Sequence, residues 1–251
     1  MTPTKPVRVV CVGDSITRGQ VSVDYVELLR QRYHVQPYTF INRGVNYDLA
    51  YNVLNRLDQV IADQPDVVTV LVGTNDANAT LAESNRRLVT LLKRLPTRPT
   101  AQWYRDNLTA IVHRLQQRTN ARIALLSLPV IGEDLDSTPI RRAGEYSAIV
   151  RDVATANGVA YLPLYERQTD HLRAHNDPPG TRYRPGLMLS STASTQHFML
   201  RRGLDDIAAH RGLQLTTDTI HQNSRGANLI ADLIQQHLTV ALAGPFDGAG
   251  A

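Results

Sequence analysis

Apolar residues along this chain follow two alternating rhythms. Five short runs, rich in β-branched residues and nearly unbroken, read as strands buried on both faces: Val7 to Val12, Tyr38 to Ile41, Val67 to Val72, Ile123 to Leu128 and Val159 to Leu162. Between them the apolar positions recur at helical spacing. Val26, Leu29 and Tyr33 predict a helix capped by Ser22, and the apolar positions from Ala50 to Ile61 predict another capped by Asp48. Leu81 to Leu95 gives a third, broken at Pro96 and Pro99, and Tyr104 to Leu115 a fourth. Two more are expected at about 139–156 and over Leu229 to Leu238.

Strands alternating with helices at this spacing predict an α/β fold, a central parallel sheet of about five strands wrapped on both sides. The rhythm lapses at about 164–215, where Pro178-Pro179-Gly180 and Arg184-Pro185-Gly186 are loop chemistry and only a short helix ending at Gly212 is expected. Residues 1–243 are expected to form one domain with this stretch as an irregular insertion. Residues 244–251 are expected to be a disordered tail.

Composition narrows the function. A length of 251 residues with 42% hydrophobic content is enough for one large core. The net charge of +4 comes from dispersed arginines, with no basic block interleaved with aromatics, so no nucleic-acid partner is expected. The single cysteine, Cys11, lies inside the first apolar run and reads as a buried thiol. No apolar run reaches the length of a membrane span and no leader pattern precedes the first strand, so the expected location is cytoplasmic. His34, His113, His171, His175, His197, His210 and His237 show no ligand spacing; no metal site and no cofactor are expected.

The polar residues collect where the strands end. Gly13-Asp14-Ser15-Ile16-Thr17 follows the first run, Asn42 to Asp48 the second, and Gly73-Thr74-Asn75-Asp76 the third; Asp218-Thr219-Ile220-His221 lies near the carboxyl end. Ligands gather at the carboxyl ends of strands in open α/β sheets, which makes Ser15 a candidate nucleophile. A serine hydroxyl needs a base, and the base works best when a carboxylate fixes its tautomer. Asp218 and His221 are three apart, so one turn of chain can set the carboxylate on Nδ1, and Asn75 can offer an amide N–H to an oxyanion. Each motif has a plainer reading: Gly-Asp-Ser as a turn, Asn75 as a helix cap, Asp218 and His221 as a surface pair.

Taken in order, the blocks Gly13–Thr17, Gly73–Asp76 and Asp218–His221 resemble the SGNH hydrolases, or GDSL esterase/lipase family, over nearly the whole chain from Val7 to Leu238. The resemblance implies a flavodoxin-like three-layer α/β/α sandwich and a serine hydrolase that cleaves small-molecule carboxylic esters through an acyl-enzyme. It assigns Ser15 as nucleophile, His221 as base and then acid, and Asp218 as its partner. The oxyanion hole would comprise the Ser15 N–H, the Asn75 amide and an N–H from the second block. That block departs from the pattern: aligning on Asn42 and Asp48 puts Tyr47 where a glycine is usual. Tyr47 is the first choice of donor and Gly44 the second. An acyltransferase or thioesterase could use the same triad, and a non-catalytic ligand-binding relative is a third option. A nucleotide-binding domain is disfavoured, because no phosphate-cradling glycine pattern follows Gly13.

Overall fold

A computed structural model describes residues 5–175 and 178–243. The expected tail lies outside the described residues. Five strands, β1 (Val7–Gly13), β2 (Tyr38–Gly44), β3 (Val67–Leu71), β4 (Arg122–Leu126) and β5 (Ala160–Leu162), form one parallel sheet in the order β2-β1-β3-β4-β5. Because β1 connects outward to β2 and the chain then crosses to β3, the order reverses between β1 and β3. That reversal opens a crevice at their carboxyl ends.

Successive residues of a strand point to opposite faces, and here both are apolar. Val10, Val12, Val68 and Val70 meet α3 (Ala50–Asn55), α4 (Leu57–Ala62), α7 (Ala101–Arg118) and α8 (Thr138–Ala156). Val9, Cys11, Val67 and Leu126 meet α2 (Tyr25–Arg32), α9 (Leu164–His175) and α12 (Ser224–Ala243). The result is a three-layer α/β/α sandwich. Cys11 is fully buried, and loss of solvation pushes its thiol up to about 12, so it is an inert core residue.

Several local expectations are corrected. The cap of α2 is Asp24, whose Oδ1 accepts the N–H groups of Val26 and Glu27 at 2.9 and 3.1 Å. Ser22 instead accepts the Gln222 N–H at 2.8 Å, a partner 200 residues away. Asp48 does not cap α3; Leu49 stands at that position and Asp48 is drawn into ion pairs. The helix expected from Ala50 to Ile61 is two helices broken at Arg56, the one expected over Leu81 to Leu95 is α6 (Glu83–Lys93), and a short helix, α5 (Thr74–Ala79), precedes it directly after β3. The stretch expected to be irregular holds the short helix expected before Gly212, α11 (Leu204–His210), and two helices that were not expected, α9 and α10 (Met188–Phe198).

Candidate active site

At the end of β1 the chain turns directly into α1 (Ser15–Arg18), a single helical turn. Asp14 caps it, its Oδ1 accepting the Ile16 N–H at 3.0 Å. Asn42, at the end of β2, ties this turn down: its amide donates to the Thr17 carbonyl at 2.7 Å while its Oδ1 accepts the Gly44 N–H at 2.9 Å. Ser15 is thereby fixed at the carboxyl end of β1.

The Asp218 to His221 loop comes to meet it. Ser15 Oγ lies 3.0 Å from His221 Nε2, and His221 Nδ1 lies 2.7 Å from Asp218 Oδ2. Asp218 Oδ1 also accepts the N–H groups of His221 and Ile220, at 2.8 and 3.1 Å. With Nδ1–H given to the carboxylate, Nε2 is left with a lone pair for the Ser15 hydroxyl proton. Burial alone would push Asp218 up, but the His221 charge and these hydrogen bonds outweigh it and hold the carboxyl below its ordinary value. Burial also works against the imidazolium, yet the Asp218 charge and hydrogen bond, helped by Asp14, raise His221 above its ordinary value.

Tyr47 occupies the left-handed region at φ 63, where glycine sits at little cost and a tyrosine is strained. Among the described residues no acceptor takes its N–H. The Gly44 N–H, by contrast, is committed to Asn42, and a side chain there would collide with the backbone nitrogen of Arg18. Asn75 lies in the first turn of α5, after Gly73 at φ 129, whose missing side chain leaves room for the Tyr104 ring. Asn75 Nδ2 donates one proton to the Asp48 carbonyl at 3.1 Å, which fixes the amide plane and leaves its second proton uncommitted. Ser15, Tyr47 and His221 line one cleft of about 500 Å³, whose opposite wall is α10 with Ser191 and Phe198. A larger cleft of about 820 Å³ between Thr80, Arg98 and Arg142 contains none of them.

Supporting residues carry little sequence signal because their partners lie outside any local motif. Asp48 is held by Arg56 Nε at 2.6 Å and by Lys93 Nζ at 2.8 Å. Arg56 Nη2 also donates to the Gly13 carbonyl at 3.0 Å. One guanidinium thus links the strand end before Ser15 to the residue after Tyr47, whose carbonyl orients Asn75. On the other side, the buried Glu133 carboxylate accepts the N–H groups of Gln214, Leu215 and Thr216 at 2.6, 3.0 and 2.8 Å, and the Thr216 hydroxyl at 2.7 Å. It pins the segment leading into Asp218. The only sequence hint was that Lys93 is one of two lysines.

A model of the GDSL-like lipase/acylhydrolase family matches residues 11–229. The chain belongs to the GDSL-like lipase/acylhydrolase family. Solved structures agree on the fold of this GDSL-like chain. An acetyl xylan esterase, AlAXEase, superposes with a TM-score of 0.67 at 20% identity, over 92% of this chain and 100% of that one. Axe2, an acetylxylan esterase from Geobacillus stearothermophilus, gives 0.64 at 16% identity over 95% and 96%. A lipase/acylhydrolase from Enterococcus faecalis gives 0.59 at 20% identity over 94% and 96%. No curated protein matches the sequence. Membership in this GDSL-like family makes the chain an SGNH-type carboxylic ester hydrolase. Among the described residues no helix is long and apolar enough to cross a membrane.

Proposed function

We propose that the protein hydrolyses short-chain carboxylic esters through an acyl-enzyme formed on Ser15. The observation that carries this reading is the unbroken chain from Ser15 Oγ through His221 to a buried Asp218. As Ser15 Oγ attacks the ester carbonyl carbon, its proton passes to His221 Nε2, and Asp218 stabilises the imidazolium. The carbonyl oxygen becomes an oxyanion, met by the N–H groups of Ser15 and Tyr47 and by the free amide proton of Asn75. Collapse breaks the bond to the alkoxy oxygen, which leaves as an alcohol with the proton from His221. Water then attacks the acyl-serine with His221 again as base, releasing the acid and restoring Ser15.

A small acyl group is favoured by Tyr47, whose ring stands beside Ser15 and His221 in the cleft where a glycine would leave space. Acetyl esterases among the structural neighbours are consistent with that size. The test is a series of p-nitrophenyl esters of increasing acyl length, assayed on wild type and Ser15→Ala. Turnover should decline beyond the shortest acyl groups and vanish in the variant. Turnover by Ser15→Ala at the wild-type rate would refute the assignment.

A further inference from the structure

Helix α10 buries far less of itself than its length would allow. Of its eleven residues only Ala193 is fully buried. One side, with Leu187 just before the helix and Phe198 at its end, faces the cleft. At 3.6 residues per turn, Met188 and Met199 share an adjoining outward face. Leu187, Met188, Phe198, Met199 and Leu200 are between 38% and 77% exposed, so an apolar rim borders the mouth of the cleft at both ends of the helix. Exposed apolar residues gathered at both ends of one helix beside a cleft mark a candidate interaction site.

The charge around the rim is one-sided. From Pro178 to Leu204 the sequence contains no Asp or Glu but holds Arg182, Arg184, Arg201 and Arg202, which together equal the +4 of the entire chain. Arg182 leans towards Asp134 at 3.7 Å. Arg184, Arg201 and Arg202 have no acidic partner among the described residues. Of the two acids just beyond, Asp205 is turned away to the N–H and hydroxyl of Ser224, at 2.8 and 2.6 Å, and Asp206 lies against Gly203.

We propose that α10 and its flanks dock on an anionic lipid surface, with the mouth of the cleft held at the lipid–water boundary. Apolar side chains rimmed by arginines match the acyl boundary and the phosphates above it. A second copy of this chain, paired face to face, would set Arg184, Arg201 and Arg202 against the same three arginines. A neutral apolar partner would leave three arginines uncompensated.

Co-sedimentation of the full chain with vesicles tests this without any ester turnover, so its outcome is separate from the hydrolase reading. Binding is expected to vesicles containing phosphatidylglycerol, weak binding to phosphatidylcholine alone, and loss at high salt. The double substitution Arg201→Gln and Arg202→Gln should lower partitioning about 30-fold, and Phe198→Ser with Met199→Ser about tenfold or more. Both change exposed side chains, and circular dichroism confirms the fold. Absence of vesicle binding, or equal binding by both variants, would overturn the proposal. So would self-association of the wild type that Phe198→Ser with Met199→Ser abolishes, which would make the rim a homotypic interface.

Discussion

Arg56 is the most informative residue to change, because it ties the end of β1 to the Asp48 corner without lining the cleft. Arg56→Lys keeps the charge but cannot reach Asp48 and Gly13 together, since an ammonium lacks the guanidinium fork. The variant loses the bond to the Gly13 carbonyl, about 1 kcal/mol, and loosens the Asp48 contact, so a loss of about 1–2 kcal/mol is expected. Arg56→Met removes the charge beside a carboxylate whose side chain is 4% exposed. Stripping one partner from a buried pair costs about 3–5 kcal/mol, and because Lys93 remains on Oδ1 the lower end applies. The catalytic effect should exceed what stability explains. The Asp48 carbonyl aims the Asn75 amide and Tyr47 precedes it, so a shift of this corner misplaces the two proposed oxyanion donors at once. A fall in kcat of about 10- to 100-fold in Arg56→Lys, with KM little changed, is expected. Urea unfolding gives the stability and initial rates on p-nitrophenyl acetate give the constants. Wild-type kcat in an Arg56→Lys protein that is measurably less stable would show that the network only holds the fold.

The remaining expectations concern single groups. Since His221 must be neutral to act and is raised above its ordinary value, activity should begin to fall on acidification above pH about 6.5. Asp218→Asn should shift that limb to lower pH while cutting the plateau by about 10⁴-fold, and an unmoved limb would exclude Asp218 as the cause. Tyr47→Gly should relieve about 1 kcal/mol of left-handed strain that Tyr47→Ala retains, and should raise rates on longer acyl chains relative to acetyl; an unchanged chain-length profile removes the ring from the acyl pocket. Burial pushes Asp76 up to about 8, with one oxygen on the Ala50 N–H and the other without a partner. Between pH about 4 and about 8 the folded chain therefore keeps a proton that the unfolded chain has released, and stability falls as pH rises. Asp76→Asn should cancel this fall, so the variant gains on wild type through that window and not below it, as thermal unfolding across pH will show.

The strands were legible because both faces of the sheet are covered, which forces unbroken apolar runs such as Val67 to Val72. The site was legible because its polar residues follow those runs at the strand ends. Ser22 and Asp48 depart from the local reading for one reason: a side chain that suits a local cap can find a better partner outside that turn, here Gln222 for Ser22 and Arg56 with Lys93 for Asp48. Glu133 was invisible for the same reason, since its partners lie more than 80 residues on. The left-handed backbone of Tyr47 could be posed only as a question, because tyrosine carries no preference for it. Helix α10 escaped notice because it buries a single residue fully, so little apolar periodicity marks it.

Reaction with a small organophosphonate, read by intact mass and peptide mapping, tests the proposed acyl-enzyme most directly. One adduct per chain is expected, on Ser15, formed rapidly in the wild type, far more slowly in His221→Ala and not at all in Ser15→Ala. An adduct on another residue, or labelling of Ser15 at the same rate without His221, would contradict the assignment of Ser15 as a nucleophile activated by His221.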